Sequence, residues 1–302
     1  MKIQDIRKKH EDRLLRMRNV VGVGIGNKVV DGKDTGRKCV RVYVSSKEDM
    51  RSLKRRDIVP YSVGTVETDV IEIGKIKAFV YKERMRPTHC GISIGHIKVS
   101  AGTLGCLVRD SITQELLILS NNHVLANSNK GKVEDDILQP GTYDGGTASD
   151  LIGTLLRFVK IEVRSWWQFW KKEPKNIVDC AVAQLLDDGD VLPDILEVGI
   201  PKGVATVQVG TKLQKTGRTT GHTKGEVLDE DVTVSVDYGS FIARFEHQIM
   251  AGDMSAGGDS GSLVLDSDKN AVGLLFAGSS KSTIINPIQQ VLNKLNVQLV
   301  TK

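Results

Sequence analysis

The stretch AGGDSGSLVL, residues 256–265, decides how this chain is read. Gly257, Gly258 and Gly261 surround Asp259 and Ser260, and an apolar run follows at once. Gly, Asp and Ser adopt turn conformations at little cost, so one reading is an ordinary loop entering a strand. The other is a turn that presents Ser260 as a nucleophile. A serine hydroxyl reacts only when a base removes its proton, and a histidine base needs a carboxylate to hold its tautomer and stabilise the imidazolium. The rest of the chain must supply both.

Six histidines are available, at 10, 89, 96, 123, 222 and 247. None follows Ser260, which excludes a serine-aspartate-histidine order, and Ser262 breaks the G-x-S-x-G elbow. The order left is histidine, aspartate, serine. His123 lies in LLILSNNHVLAN, where an apolar strand turns polar, and Asp179 lies in NIVDCAVAQL, just before an apolar run. Taken singly, the histidine reads as a surface or core residue and the aspartate as a turn residue. Taken in order, each at its own strand-loop junction, they read as base and carboxylate for Ser260.

The surrounding pattern is mainly β. Beyond residue 86 the chain alternates short apolar runs with turns, among them ELLILS, KNIVDCAVAQLL, GEVLDEDVTVSVD and AVGLLFAG, the pattern of barrels or a sandwich. Helical periodicity returns only near the end, where Asn286 is placed to cap a helix with Pro287 at its first position. Residues 1–85 read as a small basic α+β domain. They comprise an amphipathic helix over 3–18, a hairpin of VVGVGIGNKVV and RKCVRVYVSSK around DGKDTG, a short helix in SKEDMRSLKRRD, and a strand in TDVIEIGKIKAFVY. Gly22, Gly24 and Gly26 are followed by Asn27 with no helix, so the dinucleotide fingerprint fails.

The net charge of +5 hides an asymmetry. Residues 1–90 carry 22 Lys and Arg against 12 Asp and Glu, and residues 91–302 carry 20 against 25. The basic segment suits docking on the acidic remainder or an inter-subunit contact, with nucleic acid as a less favoured partner. No signal peptide or transmembrane segment is read, and Cys39, Cys90, Cys106 and Cys180 read as buried free thiols, so a cytoplasmic protein is expected. Histidines and cysteines never fall at ligand spacing, so no metal or other cofactor is expected. SWWQFWKK, residues 165–172, reads as an exposed loop making a protein contact.

LSNNHVLAN, IVDCAVAQL and GGDSGSLVL resemble the histidine, aspartate and serine boxes of chymotrypsin-fold, trypsin-like serine proteases, and KTGRTTGHTKGEV resembles a hairpin of the bacterial alpha-lytic and streptogrisin-type enzymes. With the small N-terminal domain, AGTLGCLVRD and ILQPGTYDGG, the chain is most similar to the narrow-leaf-type family of bacteria and plants. The resemblance implies a chymotrypsin-like double β-barrel in residues 86–302, a serine endopeptidase acting on protein or peptide substrates, and a homo-oligomer. It implies His123 and Asp179 on the first six-stranded barrel and Ser260 on the second, and an oxyanion hole from the Gly258 and Ser260 amides. AVGLLFAG becomes the wall of the specificity pocket, through Leu275, Phe276, Ala277 and Gly278, with Met254 near its base. A pocket without a carboxylate favours small or medium aliphatic side chains, whereas a one-residue shift would bring in Asp253. Three departures stand out: Ser262 for a usual glycine, Lys224 for a disulfide cysteine, and Asn122 for a small residue. The rival class is a catalytically silent protease-like binding module.

Overall fold

The computed structural model describes residues 2–74, 80–99, 101–164, 170 and 173–301. The chain divides into two compact units, Met1–Ala78 and Phe79–Lys302. The division falls seven residues before the expected end of the first domain. Residues such as Tyr81, whose hydroxyl donates to Glu197 at 2.9 Å, belong to the second unit.

In the first unit, the helix Ile3–Leu15 lays Ile6 and Leu14 on Val40, Val42 and Val63 of a four-stranded sheet. The sheet runs in the order Val20–Val30, Lys33–Val44, Val66–Glu72, Ser62–Val63. Its hairpin turn is shorter than DGKDTG suggested. Asp31 and Gly32, at φ 50° and 77°, make a two-residue turn whose twist matches the strands, and Lys33 to Gly36 already belong to the second strand. Gly24 leaves room for the Tyr43 ring, which a Cβ would meet at 3.2 Å, so these glycines serve strand packing. The helix expected in SKEDMRSLKRRD is absent apart from the single 3-10 turn Arg55–Asp57. Asp49 instead takes the Arg51 amide on its side chain and the Ser52 amide on its carbonyl, local bonds that compete with helix formation.

The second unit holds two sheets, each curled on itself. In the first, Leu116–Ser120, Ala181–Leu185, Leu151–Phe158, Asp136–Leu138 and Ser93–His96 are hydrogen-bonded in that order. The segment 102–110 joins both edges: Gly102–Thr103 pairs with Ser93–His96, and Cys106–Asp110 with Leu116–Ser120. That closes six strands around a core rich in Ile, Leu and Val. The strand Val297–Leu299 adds to the outer side of Cys106–Asp110.

The second sheet runs Asn270–Gly278, Leu263–Asp266, Lys212–Gly217, Gly221–Asp237, Ile242–Gly252, Ser282–Pro287, and the last strand pairs back with the first. Here too six strands close. The helix Ile288–Leu295 follows, buried through Ile288, Val291, Leu292 and Leu295. Its N-cap is Pro287, and Asn286 does no capping; its side chain turns inward instead. The fold is the expected mainly-β double barrel preceded by a small helix-and-sheet unit. Among the described residues no helix is long and apolar enough to cross a membrane.

Candidate active site

The three polar boxes meet where the barrels face each other. His123 sits in the one-turn helix Asn122–Leu125 that follows the strand Leu116–Ser120, and Asp179 lies two residues before the neighbouring strand Ala181–Leu185. Adjacent strands therefore deliver residues 56 apart to one point, and the His123 Nδ1–H donates to Asp179 Oδ2 at 2.6 Å. The His123 amide also donates to Asp179 Oδ1, at 3.2 Å. Asp179 is wholly buried, whereas the imidazole is 21 % exposed and lines the cleft. A buried carboxylate is tolerated only when donors surround it. The Tyr238 hydroxyl donates to Oδ2 at 2.7 Å, and the Asp179 amide is fixed by Asn286 Oδ1 at 2.9 Å.

Asn121 and Asn122 hold the same corner from behind. The Asn121 side-chain amide donates to the Asp179 carbonyl at 2.7 Å. Asn122 donates to Asn129 Oδ1 and the Val159 carbonyl and accepts the Asn129 amide, so the residue standing where a small one was expected ties down the loop after His123.

Ser260 comes from the second barrel, on the turn before the strand Leu263–Asp266. Gly258 and Gly261, at φ 99° and 96°, occupy backbone space that L side chains rarely adopt, which is why glycine flanks the Asp259–Ser260 pair. The turn is pinned to the first barrel: the Ser260 carbonyl accepts the Thr103 amide at 2.8 Å, and the Gly258 carbonyl accepts the Thr103 hydroxyl at 2.9 Å. Ser260 Oγ donates to the Phe276 carbonyl at 3.4 Å, a long contact. Among the described residues Ser260 and His123 share no hydrogen bond, and the Gly258 and Ser260 amides meet no acceptor. Two N–H groups left open beside a serine can receive an oxygen that gains negative charge.

Asp259 anchors the turn from beneath. Its carboxylate receives the Lys215 ammonium at 2.9 Å, the Thr220 hydroxyl, and the amides of Ala256, Thr219 and Thr220. Burial raises the Asp259 pKa, but the Lys215 charge and these donors outweigh it and hold the carboxyl below its ordinary range. Ser262 fits because its hydroxyl donates to the Asp259 carbonyl at 2.6 Å, in space left by Gly217, where a Cβ would lie 2.7 Å from Ser262 Oγ. A second buried pair, Arg218 with Asp144, ties the barrels together through two charge-assisted bonds at 2.6 and 2.5 Å.

A recess of about 320 Å³ opens beside Ser260, lined in part by Leu275, Ala277 and Gly278. Phe276 lines the adjoining cleft of about 820 Å³ with His123. Met254 lines neither, being buried in the barrel core behind Gly225. Asp253 is exposed and lines neither cavity. The recess takes instead Ser255, Ala256 and Gly257, which the sequence reading did not place in the pocket, and its described lining carries no charged side chain. His222 stands apart, 3.3 Å from Gln214 Oε1. The four cysteines are free and buried. Most of SWWQFWKK lies outside the described residues; Trp170 is exposed. Among the described residues no group of three or more His, Cys, Asp or Glu could hold a metal ion.

The fold is similar to Thermobifida fusca Protease A, with a TM-score of 0.50 at 18 % identity over 71 % of this chain and all of that one. It is similar also to Nocardiopsis protease, with a TM-score of 0.52 at 17 % identity over the same shares. A third match is a serine protease described as specific for glutamic acid, with a TM-score of 0.50 at 20 % identity over 70 % of this chain and all of that one. No curated protein matches the chain. The sequence model of the trypsin family matches residues 110–296, well over half of the length and spanning all three boxes, and the chain belongs to that family.

Proposed function

We propose that the chain is a serine endopeptidase in which Ser260 is the nucleophile, His123 the general base and acid, and Asp179 the carboxylate that orients His123. The observation that carries the reading is the 2.6 Å bond from His123 Nδ1 to a wholly buried Asp179, on the cleft that adjoins the Ser260 turn. With Nδ1–H held by Asp179, Nε2 carries the lone pair that takes the Ser260 proton as Oγ attacks the substrate carbonyl carbon. The carbonyl oxygen becomes an oxyanion and is received by the Gly258 and Ser260 amides. The imidazolium then gives its proton to the departing amine, leaving an acyl ester on Ser260. Water, deprotonated by His123, attacks the ester, and the proton returns to Ser260 Oγ as the acid leaves. For Oγ to hand its proton to Nε2 it must give up its long contact with the Phe276 carbonyl.

The uncharged recess supports small or medium aliphatic side chains before the cleaved bond. Four free, buried thiols support a reducing, cytoplasmic setting. The contact of Ser260 with Phe276 instead of His123 favours the second reading, a protease-like binding module without turnover. Labelling with a serine-directed phosphonate separates the two, since it needs nucleophile, base and oxyanion donors together. Labelling that maps to Ser260 and vanishes in His123→Ala supports the peptidase; an inert wild-type protein supports the binding module.

A further inference from the structure

We propose that Tyr238 is a positioning residue of this site, its hydroxyl reaching from the second barrel to hold the Asp179 carboxylate against His123. The inference rests on the peptidase reading for its kinetic consequence, though its geometry stands alone. Tyr238 directly follows the 17-residue strand Gly221–Asp237, which pairs with Ile242–Gly252 in a long hairpin. At the tip the Tyr238 amide bonds the Phe241 carbonyl at 2.9 Å and Gly239 bonds Asp237 Oδ1 at 2.7 Å, a closed turn that fixes where the ring points.

The ring is held on three sides. It stacks on Phe241 at 5.0 Å, tilts against Phe245 at 6.3 Å and meets the His123 imidazole edge-on at 5.8 Å. Asp179 Oδ2 thus accepts two bonds, from Tyr238 at 2.7 Å and from His123 at 2.6 Å. Beneath, Asn286 holds the Asp179 amide and is itself fixed by Gln248 Oε1 at 2.6 Å. Burial, reinforced by the Asp179 charge, pushes the Tyr238 hydroxyl far above its ordinary range, so it acts only as a neutral donor. A neutral donor on the oxygen that faces the imidazole fixes the carboxylate rotamer and withdraws part of its charge. Among the described residues, the other charged groups lining the cleft are Lys98 and Asp237.

Tyr238→Phe keeps the ring stack and removes only the hydroxyl. Without that donor the carboxylate gives its full charge to the imidazolium and is less fixed in rotamer. The variant should lose about tenfold in kcat with little change in KM, and the acidic limb of its kcat/KM profile should move to higher pH. In the free protein, the low-field proton resonance of His123 Nδ1–H should shift. Phe241→Leu, which loosens the stack but spares the hydroxyl, should leave that resonance and limb in place. A Tyr238→Phe protein with wild-type resonance, kcat and acidic limb overturns the proposal, as does an equal displacement in Phe241→Leu. If the wild type neither turns over nor labels while the resonance still shifts in Tyr238→Phe alone, the peptidase reading fails and the positioning role of Tyr238 stands.

Discussion

The Lys215 ammonium lies 2.9 Å from Asp259 Oδ2, and neither side chain has any solvent exposure. Removing one member of such a pair leaves the other charged and unpaired in the interior, which costs about 3–5 kcal/mol. Lys215→Met should therefore lower stability by about that much in urea unfolding. It should also abolish phosphonate labelling in conditions where the protein is still folded, because Asp259 fixes the turn that carries Ser260. Labelling at the wild-type rate would show that the turn holds without its anchor.

Ser260→Ala and His123→Ala should each lower peptide turnover by about 10⁴-fold or more, and the double variant should be little worse than either, since the groups act as a unit. The readout is kcat on a peptide amide, with circular dichroism to show that the fold persists. Hydrolysis surviving Ser260→Ala in a metal-free sample would reject the assignment.

The recess beside Ser260 presents Leu275, Ala277 and Gly278 and no described charge. A peptide-library profile should favour Ala, Val or Leu before the cleaved bond, because a buried Lys, Arg or Glu side chain would lose its hydration without gaining a partner. A profile led by a charged residue would contradict this pocket.

Acid should weaken the first barrel through Asp110. Its carboxylate accepts the Thr113 and Ile112 amides and the Arg157 guanidinium, which bring its pKa down to about 2. A carboxyl depressed on folding adds stability above its unfolded value, near ~4, and that stability is lost as pH falls toward the folded value. The urea midpoint should fall between about pH 4 and pH 2, and Asp110→Asn should make that decline shallower.

His123 and Asp179 stood out in the sequence because each interrupts an apolar run where a strand meets a loop, and such junctions fall at a barrel's rim. The glycines around Ser260 were equally open to reading, since their positive φ is a local property. Tyr238 was not. It sits in the unremarkable turn DYGS, and its bond to Asp179 depends on the length of a hairpin and on how the two barrels face each other. Asn286 was read as a helix cap because Asn-Pro before a helix is a local signal; its inward turn toward Asp179 comes from packing that no local pattern carries. Met254 was placed near the pocket base, but it lies in the irregular segment after the strand Ile242–Gly252 and packs into the core, while its neighbour Ser255 lines the recess. The helix expected over 46–57 failed because Asp49 diverts the amides of the first turn.

The strand Val297–Leu299 lies along Cys106–Asp110, nearly two hundred residues earlier in the chain. During vectorial synthesis that edge of the first barrel stays unpaired until the whole second barrel has left the ribosome. Ser260 and the Tyr238 hairpin emerge in the same late interval. A nascent chain therefore holds Asp179 for 81 residues of synthesis before Ser260 is made, and the edge of the first barrel left unpaired over that interval and beyond is open to pairing with other chains.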